Sequence, residues 1–186
     1  MLKQKISKQI DVLFRLGFHK LLNLSEVEYL HSFRFNNLIP LHDGKRFDLP
    51  VIADPRIPTE QLISKAGLES YLKPEDLTNI SGENKEPYLF FTHNSKRYST
   101  HTAAMAISEF DEDEIGCTLV ELVYFYLFYP DKFEGIAIDA VLTNFRGDYH
   151  PCIIKVKTQG EIGAHWHNDL TNGINILSKG KSLFKL

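Results

Sequence analysis

Residues 136–167, IAIDAVLTNFRGDYHPCIIKVKTQGEIGAHWH, decide the fold class. Three segments of this stretch, 136–143, 152–158 and 162–167, are rich in β-branched and other apolar residues, as strands are. Between them lie Arg146-Gly147-Asp148 and Gln159-Gly160, both good turn chemistry, so the spacing predicts an antiparallel meander. Residues 174–177 are expected to add an edge strand. The Arg-Gly-Asp tripeptide reads as a turn, with no adhesive role.

Upstream of the meander the pattern is mostly helical. Ile6, Ile10, Leu13, Phe14 and Leu16 recur at helical spacing and Gly17 offers a left-handed stop, which predicts a helix over 3–16. Ser25 and Glu28 form a capping box, and Val27, Leu30 and Phe33 to Phe35 give the next helix its apolar stripe. Residues 1–36 therefore read as a helical hairpin. Residues 37–87 are dense in turn chemistry, at Pro40, Asp43-Gly44, Pro50, Asp54-Pro55 and Pro58, and read as a connector with a short strand at 51–53 and one helix ending at Gly67. A mobile loop is expected at 81–86.

Residues 88–177 hold the rest of the fold: a buried strand at 88–92, a helix over 102–110, and an aromatic helix that opens on a second capping box, Thr118 with Glu121, and closes at Pro130. Residues 178–186, with Lys179, Lys181 and Lys185, read as a frayed tail. Helices first and sheet later, without βαβ alternation, predict a single α+β domain of helices on a mainly antiparallel sheet.

The chain has 186 residues, which suits one hydrophobic core better than two. With 21 Lys and Arg against 24 Asp and Glu, the net charge of -3 offers no global basic field, so nucleic acid is not an expected partner. The only cysteines are Cys117 and Cys152, both in apolar surroundings, and MLKQKISKQI is not a secretory signal, so reduced thiols and a cytoplasmic location are expected. The longest apolar run, 119–129, contains Glu121 and is far shorter than the roughly 20 residues that a membrane span needs.

The chemistry centres on Ala164-His165-Trp166-His167-Asn168-Asp169. Strand alternation puts His165 and His167 on one face and Trp166 on the other. Two imidazoles at that spacing can share a divalent metal such as zinc, given a further ligand, for which His93, His101, His150, Asp139 and Glu161 are the candidates. The plainer reading is a strand end with histidines beside a core tryptophan. His93 and His101 flank a polar loop and, with Trp166 and Asp169, are candidates for a ligand groove. Cys152 follows His150 and Pro151, a start for a nucleophilic site, although most such cysteines are inert packing. The acidic run Glu109, Asp111, Glu112, Asp113 and Glu114 lacks the ligand spacing of a calcium loop and reads as a solvated helix end.

Three features, the segment Ile10-Asp-Val-Leu-Phe-Arg-Leu-Gly-Phe18 leading to the cap at Ser25, the segment Pro87-Tyr-Leu-Phe90, and the Thr118-to-Pro130 helix followed by the meander, resemble an uncharacterised bacterial family rich in actinobacteria. The resemblance extends over most of the chain. It implies a bacterial cytoplasmic α+β protein with no assigned reaction, and it keeps Trp166 but not the paired histidines.

Two functions follow as expectations. The first is a non-catalytic module that binds a small molecule or a partner protein between the meander and the aromatic helix; a face of that helix left reachable would also serve a homodimer, although a helix apolar all round more often lies buried between a sheet and the N-terminal hairpin. The second is a metal-dependent hydrolase in which His165 and His167 hold the ion and Asp169 or Glu161 takes the proton of its bound water.

Overall fold

Ile6, Gln9 and Leu13, spaced three and four apart, bury one face of helix α1 (Leu2–Arg15). Gly17, at φ +77°, then turns the chain into the short α2 (Phe18–Leu21), and the Ser25–Glu28 capping box starts α3 (Glu26–His31). The computed structural model describes residues 2–33, 46–80, 84–170 and 173–185. The turn chemistry at Pro40 and Asp43-Gly44, the stripe residues 34 and 35, and positions 81–83 of the expected loop lie outside the described residues.

In chain order the remaining elements are β1 (Leu49–Ala53), α4 (Thr59–Lys65), β2 (Leu68–Ser70), β3 (Leu77–Asn79), β4 (Tyr88–Thr92), α5 (Ala103–Ser108), β5 (Glu114–Gly116) and α6 (Leu119–Phe128). The C-terminal part adds β6 (Ala137–Asp139), β7 (Thr143–Phe145), β8 (Tyr149–Val156), β9 (Gln159–Trp166), β10 (Ile174–Ile176), β11 (Ser178–Gly180) and β12 (Phe184–Lys185). This is the α+β architecture expected, with N-terminal helices and mainly antiparallel sheets.

The strands form two sheets instead of one. The first runs β1-β4-β11-β5, with β12 also on β4, and all its pairings are antiparallel. The expected tail is thus built into the first sheet: β11 lies between β4 and β5, and Lys179 is buried. The second sheet centres on β8, flanked by β6 and β9, with β10 at one edge and β2 beyond β9. The edge pairings β10 with β6 and β2 with β9 are parallel, so the meander carries a parallel strand on each side.

α6 packs on β1 of the first sheet and on β8 of the second. Leu122, Val123, Tyr124 and Phe125 are fully buried, because the helix is apolar around most of its circumference and both sides meet a sheet. The face expected for a partner is therefore taken up inside the core. Gln9 fastens α1 to the outer edge of β1: its Nε2 donates to Pro50 O at 2.6 Å, and its Oε1 accepts from Ile52 N at 2.9 Å. Among the described residues no helix is long and apolar enough to cross a membrane.

Gly160 belongs to β9, and the β8–β9 turn falls at Lys157 and Thr158, with Lys157 at φ +58°. The glycine is needed for packing: a Cβ at 160 would sit 2.6 Å from the Tyr126 hydroxyl and also strike the Leu68 side chain. The acidic run is also more structured than a solvated helix end. Glu114 is buried and paired with Arg46 and Arg97, while Asp111 holds both arginines and Asp113 holds Arg46.

Candidate active site

The β8–β9 register sets His150 opposite His165 and Cys152 opposite Gly163, and β6 sets Asp139 opposite Cys152. Residues directly opposite one another in an antiparallel pair share a face, so Asp139, His150, Cys152 and His165 stand together. This is the face of the second sheet away from the α6 core. Ile138, Ile153 and Ile162 point the other way, into that core. Beside the polar group, α5 packs through Ala103 and Ala106 in a small separate cluster with Val141, Ile176 and Tyr98.

His165 links the group. Its Nδ1 lies 2.7 Å from Asp139 Oδ1, and its Nε2 lies 3.8 Å from Cys152 Sγ. Asp139 and Cys152 are buried, and the His165 side chain keeps 24% of its surface exposed, so the imidazole connects a buried carboxylate and thiol to solvent. Opposite the sulfur is Gly163, whose missing side chain leaves room: a Cβ there would touch Sγ at 3.7 Å.

Burial works to lower the His165 imidazole, but the hydrogen bond to Asp139, with the contact to Cys152, outweighs it and pushes it up to about 10. Burial lifts the Asp139 carboxyl, the His165 hydrogen bond and charge draw it back, and the Asp169 charge adds to the lift. The net effect leaves the Asp139 carboxyl raised, and with His165 at about 10 the ring holds its proton through neutral pH against that carboxyl.

His167, beyond the end of β9, does not join His165. Its Nδ1 lies 2.8 Å from His150 Nε2, and His150 Nδ1 lies 3.2 Å from Thr143 O. The carbonyl can only accept, so His150 carries its proton on Nδ1 and accepts from His167 at Nε2. Burial holds His150 below its ordinary value, in keeping with a neutral ring. The expected histidine pair is thus split between two partners.

The other expected residues lie elsewhere. His93, just past β4, accepts from Ser95 N at 2.9 Å through Nδ1, so its Nε2 carries the proton and donates to Ser178 Oγ at 2.8 Å. Ser178 in turn donates to Glu114, and burial pushes His93 down to about 4, so this neutral ring is a relay of structural hydrogen bonds. His101 pairs with Glu109 at 2.9 Å. Trp166 is half exposed on the opposite face, across from Tyr149, and Asp169 N donates to Trp166 O at 2.9 Å. Glu161 shares the face of His165 on β9, opposite Ile154. Of the candidates for a third metal ligand, Asp139 meets His165 and His150 meets His167.

No protein-family model, no curated protein and no solved structure matches this chain. A carboxylate on one imidazole nitrogen and a thiol at the other are an arrangement that can serve as an orienter, a proton carrier and a nucleophile in sequence. The same three residues also bring an oxygen, a sulfur and a nitrogen within 4.8 Å of one another.

Proposed function

We propose that this chain is a cysteine-dependent acyl-transfer or hydrolytic enzyme, with Cys152 as nucleophile, His165 as proton carrier and Asp139 as the residue that orients His165. The observation that carries this reading is the chain Asp139 Oδ1, His165 Nδ1, His165 Nε2 and Cys152 Sγ, at 2.7 and 3.8 Å across the ring. An imidazolium next to a sulfur favours the anionic, nucleophilic form of a thiol. The thiolate would attack an acyl carbon, and the leaving group would depart with the bonding pair and take the proton from His165. Water would then cleave the thioester while neutral His165 accepts its proton, restoring thiolate and imidazolium.

The non-catalytic module read from the sequence drew on the aromatic helix, and that helix is core. A second reading rests on the donor atoms of Asp139, Cys152 and His165 within 4.8 Å of one another, a set a zinc ion could take. The structure engages Asp139 with Nδ1, behind the ring, where a carboxylate supports a ligating histidine instead of sharing its metal. That favours the thiol chemistry.

Hydrolysis of p-nitrophenyl acetate tests the proposal. The parent and a Cys117→Ser variant should turn it over alike, Cys152→Ala should abolish the activity above background, and His165→Ala should lower it by about a hundredfold or more. Turnover unaffected by Cys152→Ala would refute the nucleophile. Activity that disappears with a chelator and returns with zinc would favour the metal reading instead.

A further inference from the structure

A second site lies at the junction of the two sheets and shares no residue with the Cys152 cluster. A cavity of about 230 Å³ opens between β4, β11 and the first turn of α6. Its polar end is formed by Tyr88, Glu121 and Lys179, all buried, and its walls include Ile57, Ile115 and Leu142.

Glu121 has no acceptor capacity left for a ligand. One carboxylate oxygen takes the Tyr88 hydroxyl at 2.7 Å and the Lys179 ammonium, and the other takes Thr118 N at 2.9 Å and Thr118 Oγ1 at 3.2 Å. Two oxygens offer about four lone-pair positions, and four donors fill them. Lys179 is in the opposite condition: among the described residues one of its three ammonium protons goes to Glu121, and the group also lies 5.4 Å from the Phe90 ring centre. Lys181, exposed, adds a second ammonium to the lining. Among the described residues, two ammonium groups against one carboxylate leave the lining with a single positive charge, beside walls that mix Thr59, Asn79 and Asn84 with apolar side chains.

We propose that this cavity binds a small organic monocarboxylate, its charged end on Lys179 and Lys181 and its alkyl part along Ile57, Ile115 and Leu142. One negative charge matches the lining, and the apolar side chains of the walls reward a hydrocarbon tail that an inorganic anion lacks. The space suits a short-chain acid such as hexanoate better than a drug-sized ligand.

Calorimetric titration of the full chain with acetate, butyrate, hexanoate and octanoate, with hexanamide and inorganic phosphate as controls, tests this. Affinity should rise about fourfold for each added methylene up to hexanoate and then level off or fall. Hexanamide should bind at least about tenfold more weakly. Lys179→Met alone strands a buried carboxylate and can unfold the protein, so the double variant Lys179→Met with Glu121→Gln, which keeps the helix cap, and the cavity-filling Val120→Phe serve as variants. The double variant, which keeps Lys181 but loses the buried ammonium, should weaken hexanoate at least about tenfold, and Val120→Phe should abolish its binding. No binding by any member of the series, equal binding of hexanoate and hexanamide, tighter binding of phosphate than hexanoate, or unchanged binding in both variants would each overturn the proposal.

Discussion

Asp139 and His165 belong to strands that are not neighbours, and the 2.7 Å hydrogen bond between them spans β8, the strand that carries Cys152. A long-range polar contact of this kind fixes three strands in one register and places the thiol at the far nitrogen of the same ring.

The pair should make stability depend on pH in a defined direction. Against burial, the Asp139 hydrogen bond pushes His165 up to about 10, whereas an imidazole in an unfolded chain titrates near 6.5. The folded state therefore holds the proton more tightly. Its contribution is fully present below about pH 6.5 and is lost as pH rises through about 10. Urea unfolding at intervals from about pH 6 to pH 10.5 should show this loss in the parent and a flatter profile in Asp139→Asn. Identical profiles would contradict the pair.

The two glycines of β9 should respond oppositely to an added methyl. Gly160→Ala drives a Cβ to within 2.6 Å of the Tyr126 hydroxyl and should cost about 1–3 kcal/mol. Gly163→Ala meets only Cys152 Sγ at 3.7 Å and should be neutral, or stabilising by up to about 1 kcal/mol. Chemical denaturation of both variants decides it, and equal effects would refute the register.

Those glycines also show how far the sequence could be read. The capping boxes at Ser25 and Thr118, the strand at Tyr88–Thr92 and the α+β class follow from local chemistry, and all are present. The hairpin register does not follow in this way. Gln159-Gly160 has turn chemistry, but Gly160 is a glycine because Tyr126 and Leu68 occupy its side-chain space, and the turn moves to Lys157 and Thr158. A turn at 159–160 would set Cys152 opposite His167. The true register sets it opposite Gly163 and diagonal to His165, and a slip of this size regroups every side chain of the site. From the sequence Asp139 is one of several distant ligands, since nothing local marks a partner two strands away. Lys179 is illegible for a related reason: three lysines near a terminus look solvated until a buried Glu121 supplies the counter-charge.

That counter-charge gives a stability prediction. Lys179→Met leaves a buried Glu121 without its ammonium and should cost about 3–5 kcal/mol, while adding Glu121→Gln should recover much of the loss. A cost within about 0.5 kcal/mol, the usual size for a surface change, would return the last strands to a solvated tail. Thermal unfolding of the single and double variants measures the difference.

Gln9 should matter more than an ordinary helix residue. Gln9→Ala removes both bonds to the β1 backbone and leaves Ile52 N, a buried donor, without its amide partner. A loss of about 1–3 kcal/mol is expected, read as a lower denaturation midpoint with unchanged slope. A loss no larger than that of Lys8→Ala would show that the α1 clamp contributes nothing.

The most direct test of the Cys152 assignment is alkylation of the folded protein by iodoacetamide, followed peptide by peptide by mass spectrometry. Cys117 is the internal control, since burial raises its thiol and it is fully enclosed. Cys152 should react at least about tenfold faster than Cys117, and His165→Ala should remove most of that advantage while Cys117 stays unchanged. Equal slow labelling of the two cysteines, or a Cys152 rate that His165→Ala leaves untouched, would contradict a nucleophile activated by His165.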